Sequence, residues 1–599
     1  MRALFLLFGL AISMPLQAGW ALRDLLADFV FPYRFGFYQD SNLMIEMRDG
    51  IRLNATLYLP DNTGGPFPTI LIRTTYGGIS FEWVRLFADN GYAVLVQNVR
   101  GRYGSEGIYT SPHRYSRTDG YDSVEWIVNQ PWSSGKVGSF GCSYLGEAQI
   151  MLAAAKHPNH LAMIVEGAGG AIGNAQQSYD YFGVYENGVF NLASGLGWFT
   201  ADGAIDYGIT PEVPDLPLRI KQNIGKLPVA GLSDRIVPFS TGFRDMVEHS
   251  LTDEWWKEEG YISEEDSFST ATLHVNAWYD QTVHDSFKLA RQMADNAANP
   301  RARHQHLLIG PGLHCSAAKL VSGPVRIGEM EIQYEDIDYR SIYLDWFDYW
   351  LKGKGELNLP NIQYYLINSS SWKSASQWPP GGHSTSRYTI AAENRLVDGD
   401  PARPGAHDEN YYEFRYDPEH PVPTLGGPIC CTAGAEDIAG AVDQSPLKGR
   451  SDVLLFESAA LERDLDLVGS ARAVLYVSSS AKDTDFTVKL VDQTPQGPAY
   501  NLQDGVVRLL YRNGIENPEP ARPGVIYRLE LDLRPIAYRF RKGHRIAAYV
   551  SSSNFPRLAR NLNTGESPLL TTDTKIATNR VYYGGENSSY FELPVIDQD

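Results

Sequence analysis

Short apolar runs alternate with helical segments through the first third of this 599-residue chain. "FPTILIRTTYGG" and "GYAVLVQNVRG" are glycine-bounded runs of the kind that buried parallel strands show, and "SFEWVRLFADN" between them is helix-like. "GYDSVEWIVNQPW" reads as a second helix, "KVGSFG" as a strand, "EAQIMLAAAKH" as a helix and "LAMIVEGAG" as another strand. Alternation of this kind points to a doubly wound α/β layer built on a parallel sheet. Ahead of it, "LMIEMRDGIRLNATLYLP" alternates on both sides of Asp49-Gly50, a hairpin signal.

Regularity stops near Gly170. Residues 170–265 are aromatic, with Gly, Asn and Asp scattered through them, and only "LRIKQNIGKLPVAGL" and "GFRDMVEHS" are weakly helical. This segment reads as a helical cap inserted into the α/β domain. Strand signals resume at "ATLHVNAWYD" and "QHLLIGPGLH", and "YRSIYLDWFDYWLKGKG" predicts an amphipathic helix ending in glycine and lysine. Past about Pro360, alternating segments such as "IQYYLI", "RAVLYVSSS" and "HRIAAYVSSS" are punctuated by turn residues, as in an antiparallel sandwich or jelly roll. The expected organisation is an α/β core in two parts (19–169 and 266–356), the cap (170–265) and an all-β domain (357–599), joined within Lys352–Asn361.

The chain is 43% apolar and 21% charged, an ordinary globular balance. Its net charge of −19 opposes phosphate backbones, so nucleic acid is not an expected partner. The N-terminus, "MRALFLLFGLAISMPLQAGWALRD", has a basic start, a short apolar run and small residues after it. That is the pattern of a secretory signal peptide over residues 1–18, an uncleaved anchor being the alternative. No later run reaches the 18 apolar residues of a membrane helix. The mature chain is expected to be exported, periplasmic or secreted, and a homo-oligomer is compatible with its composition. Four cysteines, Cys142, Cys315, Cys430 and Cys431, show no zinc-type spacing and are read as buried free thiols.

One strand-to-helix turn stands out for chemistry. Ser143 lies between "VGSFG" and "EAQIMLAAAKH", with Gly141 two residues before it. A nucleophile elbow, G-x-S-x-G, needs small neighbours, yet Leu145 holds the last position and glycine comes one residue late, at Gly146. The competing reading is a serine capping an ordinary crossover helix. A nucleophilic serine needs a base and an orienting carboxylate, in the chain order Ser, Asp, His, at the carboxyl ends of strands. Asp280 ends "LHVNAWYD", with Asp285 as a nearby competitor, and His314 directly follows "HLLIGPGLH". An oxyanion needs two donors: the backbone N–H of Tyr144 is one candidate and the phenol of Tyr76, after "ILIRTTYGG", the other. If the three groups assemble, Cys142 and Cys315 come close as well, and a redox-sensitive bridge between them is a second reading of those thiols.

With "GCSYLG", "WYD", "GPGLH", "WFDYWLKG" and "RKGHRIAAYVSSSNFPR", the chain resembles the CocE/NonD-type hydrolases, the group that holds cocaine esterase, α-amino-acid ester hydrolases and X-prolyl dipeptidyl peptidases. The likeness runs from about Leu43 to Val595. In that family the elbow is G-x-S-Y-x-G, which makes Gly146 the normal form. The resemblance implies an α/β-hydrolase fold with a helical cap and a C-terminal jelly roll. It implies Ser143 as nucleophile, His314 as base, Asp280 as orienting acid and Tyr76 as oxyanion donor, with no metal or organic cofactor. Two departures matter. Thr75 replaces the proline usual before the tyrosine, so the loop has one constraint fewer. No acidic residue occurs there to hold a substrate ammonium. The expected activity is therefore hydrolysis of carboxylic esters or amides through an acyl-enzyme, with X-prolyl or other exopeptidase activity as an alternative. A non-catalytic carbohydrate-binding protein is a third reading.

Overall fold

A computed structural model describes residues 37–596, apart from 61–64, 111, 206–207, 400–409, 436–438 and 496. The 1–18 signal reading lies outside the described residues. Strands β1 (Phe37–Glu46) and β2 (Arg52–Pro60) form the hairpin around Asp49-Gly50, Glu46 opposite Arg52. β2 runs antiparallel to β4 (Ala93–Asn98), which is parallel to β3 (Phe67–Thr74). From β3 the sheet continues through β5 (Ser133–Cys142), β6 (His160–Glu166), β7 (Ala271–Tyr279), β8 (Gln305–Leu313) and β9 (Ile362–Leu366), all parallel. An antiparallel edge strand, β10 (Ser371–Ala375), completes the ten. β4 and β7 are buried along their whole length; in β4 this matches the apolar run Ala93–Val96, whereas β7 also buries Thr272, His274 and Asn276.

Helices α1 (Phe81–Asp89), α2 (Ser116–Val128) and α3 (Tyr144–Ala154) make the early crossovers. Every residue of α3 is buried, so alanine and glycine, not an amphipathic stripe, let it pack beside its neighbours. β4 lies on one side of β3 and β5 on the other, so the winding reverses there and opens a crevice at their carboxyl ends.

The sheet extends further than its sequence implies. "IQYYLI" alternates and was assigned above to the β-domain, yet it forms β9 and continues the α/β sheet, with Leu307 opposite Ile362. Strand alternation marks a half-buried strand and says nothing about which sheet receives it.

Between β6 and β7 the chain forms α4 (Leu192–Asp202), α5 (Leu216–Asn223), α6 (Leu232–Ile236), α7 (Phe243–Glu248) and α8 (Trp255–Glu258). α4 gives no periodic signal because Leu192 to Thr200 are all buried. A two-residue hairpin, Tyr185–Glu186 with Val189–Phe190, precedes it, where no strand is apparent in the sequence. After β7 come α9 (Val283–Asp295) and α10 (Tyr339–Phe347), the latter followed by one wider turn that stops at left-handed Gly353.

From His383 to Ile596 the chain is rich in strands, nearly all antiparallel, around a second apolar core. This region braces the ten-stranded sheet. Gln503 Nε2 donates to the Trp278 carbonyl at 2.6 Å, the Tyr279 hydroxyl donates to the Asn501 carbonyl at 3.2 Å, and Arg534 Nε donates to the Gln281 carbonyl at 3.2 Å. Arg557, from the "SSSNFPR" motif, is buried and pairs with Glu186 of the cap hairpin at 3.2 Å and with Asp504 at 2.9 Å.

Candidate active site

Five neighbouring parallel strands each end at one residue of a single crevice. Tyr76 follows β3, Ser143 follows β5, Gly167 follows β6, Asp280 follows β7 and His314 follows β8.

Ser143 has φ 59° and ψ −132°, a strained conformation for a residue with a Cβ, and its hydroxyl makes no cap bond to α3. The helix-cap reading therefore fails. Its N–H is held instead by the Glu166 carbonyl at 2.9 Å. The glycine spacing follows from packing. A Cβ on Gly141 would overlap Leu145, and one on Gly146 would stand 2.7 Å from Ala168 Cβ and 2.9 Å from the Gly141 carbonyl. Leu145 itself is buried, so the turn needs its second small residue at 146, where α3 meets β6 and not where the simpler motif puts it.

His314 Nδ1 lies 2.6 Å from Asp280 Oδ2. The carboxylate is fully buried, and its other oxygen accepts from the Thr282 N–H at 2.7 Å and hydroxyl at 2.8 Å. Burial works against the charged imidazole, but the adjacent carboxylate outweighs it and pushes His314 up to about 9. Burial likewise opposes ionised Asp280, yet His314 and the Thr282 donors keep it below the ordinary carboxylate value. By contrast, burial without such a partner pushes His160 and His274 down to about 3 and about 4. His314 Nε2 is buried and has no hydrogen-bond partner among the described residues. The competitor Asp285 is engaged elsewhere, by the Ser178 hydroxyl at 2.7 Å and by His284 and Lys288.

The expectation that Cys142 and Cys315 are free thiols is overturned: they form a disulfide, Cα atoms 6.0 Å apart, that ties the residue before Ser143 to the residue after His314. Cys430 and Cys431 are free and half-buried. Their spacing in the sequence gives no hint that folding brings them beside His314, which it does.

The Tyr76 hydroxyl accepts a hydrogen bond from Trp198 Nε1 of α4 at 3.0 Å, which leaves its own proton to donate. Burial holds that phenol well above its ordinary pKa, so it stays protonated. The Tyr144 side chain is committed to structure: its hydroxyl donates to the Pro112 carbonyl at 2.5 Å and its ring stacks on His113 at 4.4 Å. What Tyr144 offers the crevice is its N–H at the start of α3, among the helix-end donors without an intrahelical partner. The absent proline is compensated in the tyrosine loop. Thr74 Oγ1 donates to the Gly78 carbonyl at 3.1 Å and accepts from the Tyr76 N–H at 3.0 Å, closing the turn.

Gly167 gave no sequence signal beyond being a glycine after a strand. It has φ +50°, and a Cβ there would lie 2.8 Å from Asp280 Oδ2 and 3.0 Å from His314 Nδ1. Trp198 was equally silent, because its role depends on where an irregular insertion folds back.

A family model described as X-Pro dipeptidyl-peptidase (S15 family) matches residues 49–316, and one described as the X-Pro dipeptidyl-peptidase C-terminal non-catalytic domain matches 355–592. Over 593 aligned residues the chain is 31% identical to cocaine esterase of Rhodococcus sp. (strain MB1 Bresler), covering 93% of this chain and 98% of that one. Its backbone is similar to the crystal structure of an aminopeptidase from the marine sediment archaeon Thaumarchaeota archaeon, with TM-score 0.80, 24% identity, and coverage of 94% of this chain and 97% of that one. A solved α-amino acid ester hydrolase gives TM-score 0.75 at the same identity and coverage. At such identity the two structures bear on the fold.

Proposed function

We propose, from the premise that this chain belongs to the CocE/NonD family of serine hydrolases, that it cleaves carboxylic esters through an acyl-enzyme formed on Ser143. Ser143 Oγ attacks the ester carbonyl while His314 Nε2 takes its proton, and Asp280 holds the imidazole with Nδ1 protonated. The developing oxyanion is met by the Tyr144 N–H and the Tyr76 phenol, with Trp198 fixing the phenol. His314 then protonates the departing alcohol. A water, deprotonated by the same nitrogen, releases the acid.

The observation that supports this most is the His314–Asp280 pair at the rim, with only the end of β6 between Asp280 and the strained Ser143 turn. The test is labelling with a fluorophosphonate together with turnover of a short activated ester. Wild type should label at Ser143 and turn over; Ser143→Ala should fold normally and do neither. Full activity in that variant sinks the reading.

Amide cleavage, with X-prolyl dipeptides as the substrate class, is the second reading, favoured by the description of the matching family models. Against it stands the tyrosine loop, "RTTYGG", which carries no carboxylate for a free N-terminus. Rates on Xaa-Pro chromogenic amides and on simple esters separate the two. We read the strand-rich C-terminal region as a jelly roll that holds the cap and the Asp280 segment, and the chain as an exported protein. The Cys142–Cys315 disulfide supports the second point, since such bonds persist in oxidising compartments.

A further inference from the structure

We propose that Cys430, Cys431 and His314 form a site for a thiophilic divalent cation of the zinc and cadmium class, which on binding takes the nitrogen that hydrolysis needs. A ring nitrogen of His314 and the two sulfurs all lie within 4.8 Å of one another. Nδ1 is committed to Asp280, so the available nitrogen is Nε2, buried and without a hydrogen-bond partner among the described residues. Both thiols are free, and adjacent cysteines rarely bridge each other because the geometry is strained, so both stay available as ligands. The pair is held by its backbone conformation and by packing against α4. Cys431 has φ 61°, and α4 presses so closely that a Cβ on Gly197 would overlap the Cys431 carbonyl and Thr432 Cα. That contact accounts for a glycine in the middle of a buried helix.

Two thiolates and an imidazole are a donor set suited to zinc, with bonds of about 2.3 Å to sulfur and about 2.0–2.1 Å to nitrogen. Donors within 4.8 Å of each other converge on such an ion after side-chain adjustment. Binding displaces one proton from each thiol, and one from Nε2 when His314 is charged, to the solvent. The product is a metal bis-thiolate with one imidazole ligand, its metal and ligand charges balanced, and a water in the fourth position. The Nε2 lone pair is then occupied and cannot accept the Ser143 proton, so the ion is an inhibitor. That last consequence rests on the esterase reading; the binding itself does not.

The experiment titrates metal-free, full-length protein with cadmium chloride and follows the thiolate-to-cadmium ultraviolet band. One equivalent per chain is expected, with both thiols masked from a thiol reagent. Cys430→Ser/Cys431→Ser should lose the band, and His314→Asn should weaken binding by about tenfold or more. No band in wild type, or the same band in the double variant, overturns the site; unchanged affinity in His314→Asn removes the histidine from it. In parallel, zinc should suppress ester hydrolysis, a chelator should restore it, and the ratio of zinc-treated to zinc-free rate should approach one in the double variant. Binding without inhibition overturns the claim on Nε2. A cadmium band in a protein that hydrolyses no ester supports the site and counts against the proposed function alone.

Discussion

The Cys142–Cys315 disulfide joins the residue before the candidate nucleophile to the residue after the candidate base, across 173 residues of sequence. It fixes two strand ends that no hydrogen bond between Ser143 and His314 holds together among the described residues. Removing it with Cys142→Ser/Cys315→Ser should cost about 2–4 kcal/mol of stability, read by denaturant unfolding. Treatment with reductant should shift wild type to the same midpoint. An unchanged midpoint in both would mean that the link contributes nothing to the fold.

The pH–rate profile should be displaced upward. For an uncharged ester, kcat/KM follows the free base, so activity should rise with pH through a midpoint near the value of about 9 to which Asp280 pushes His314. Asp280→Asn removes that charge, and the midpoint should fall towards the ordinary histidine range, 6.5. The rate itself should fall by about 10⁴, since Asn no longer holds the required tautomer. A midpoint that does not move in Asp280→Asn would separate the two residues.

The same pair sets a window of stability. His314 is raised in the folded state, so its contribution is complete below about pH 6.5 and is lost as pH rises through about 9. Asp280 is lowered, so its contribution is present above its ordinary 3.8 and is lost as pH falls through its folded value. The melting temperature of wild type should exceed that of Asp280→Asn most between about pH 4 and 6.5, with the gap closing toward pH 10. A constant gap across the range would contradict the pairing.

Tyr76→Phe should lower kcat by about 10²–10³ with little change in KM, as loss of one oxyanion donor does. Trp198→Phe keeps the phenol but frees its oxygen, so kcat should fall by a smaller factor. Equal losses in the two variants would mean that Trp198 acts by packing rather than by turning the Tyr76 proton.

Gly146→Ala tests the late glycine. Its Cβ meets Ala168 Cβ and the Gly141 carbonyl, both in packed surroundings, so a loss of about 1–3 kcal/mol is expected by thermal melting. Gly167→Ala should be more damaging to rate than to folding, because the new methyl stands against Asp280 and His314 and not against the core.

The order Ser143, Asp280, His314 was readable because each residue ends a strand, and strands announce themselves through apolar runs and glycine boundaries. The same local logic found the Asp49-Gly50 hairpin. It misassigned "IQYYLI", since alternation does not say which sheet a strand joins, and it passed over α4, whose burial on all sides erases helical periodicity. Local chemistry along the chain thus determined the parallel α/β core and the residue types at its rim. Tertiary structure alone decided that Cys142 and Cys315 bond, that Trp198 meets Tyr76, that Gly167 must lack a side chain and that Cys430 and Cys431 stand beside His314. Each of these joins residues distant in sequence, and such contacts leave no periodic or compositional trace because the backbone geometry between them is set by packing far from either end.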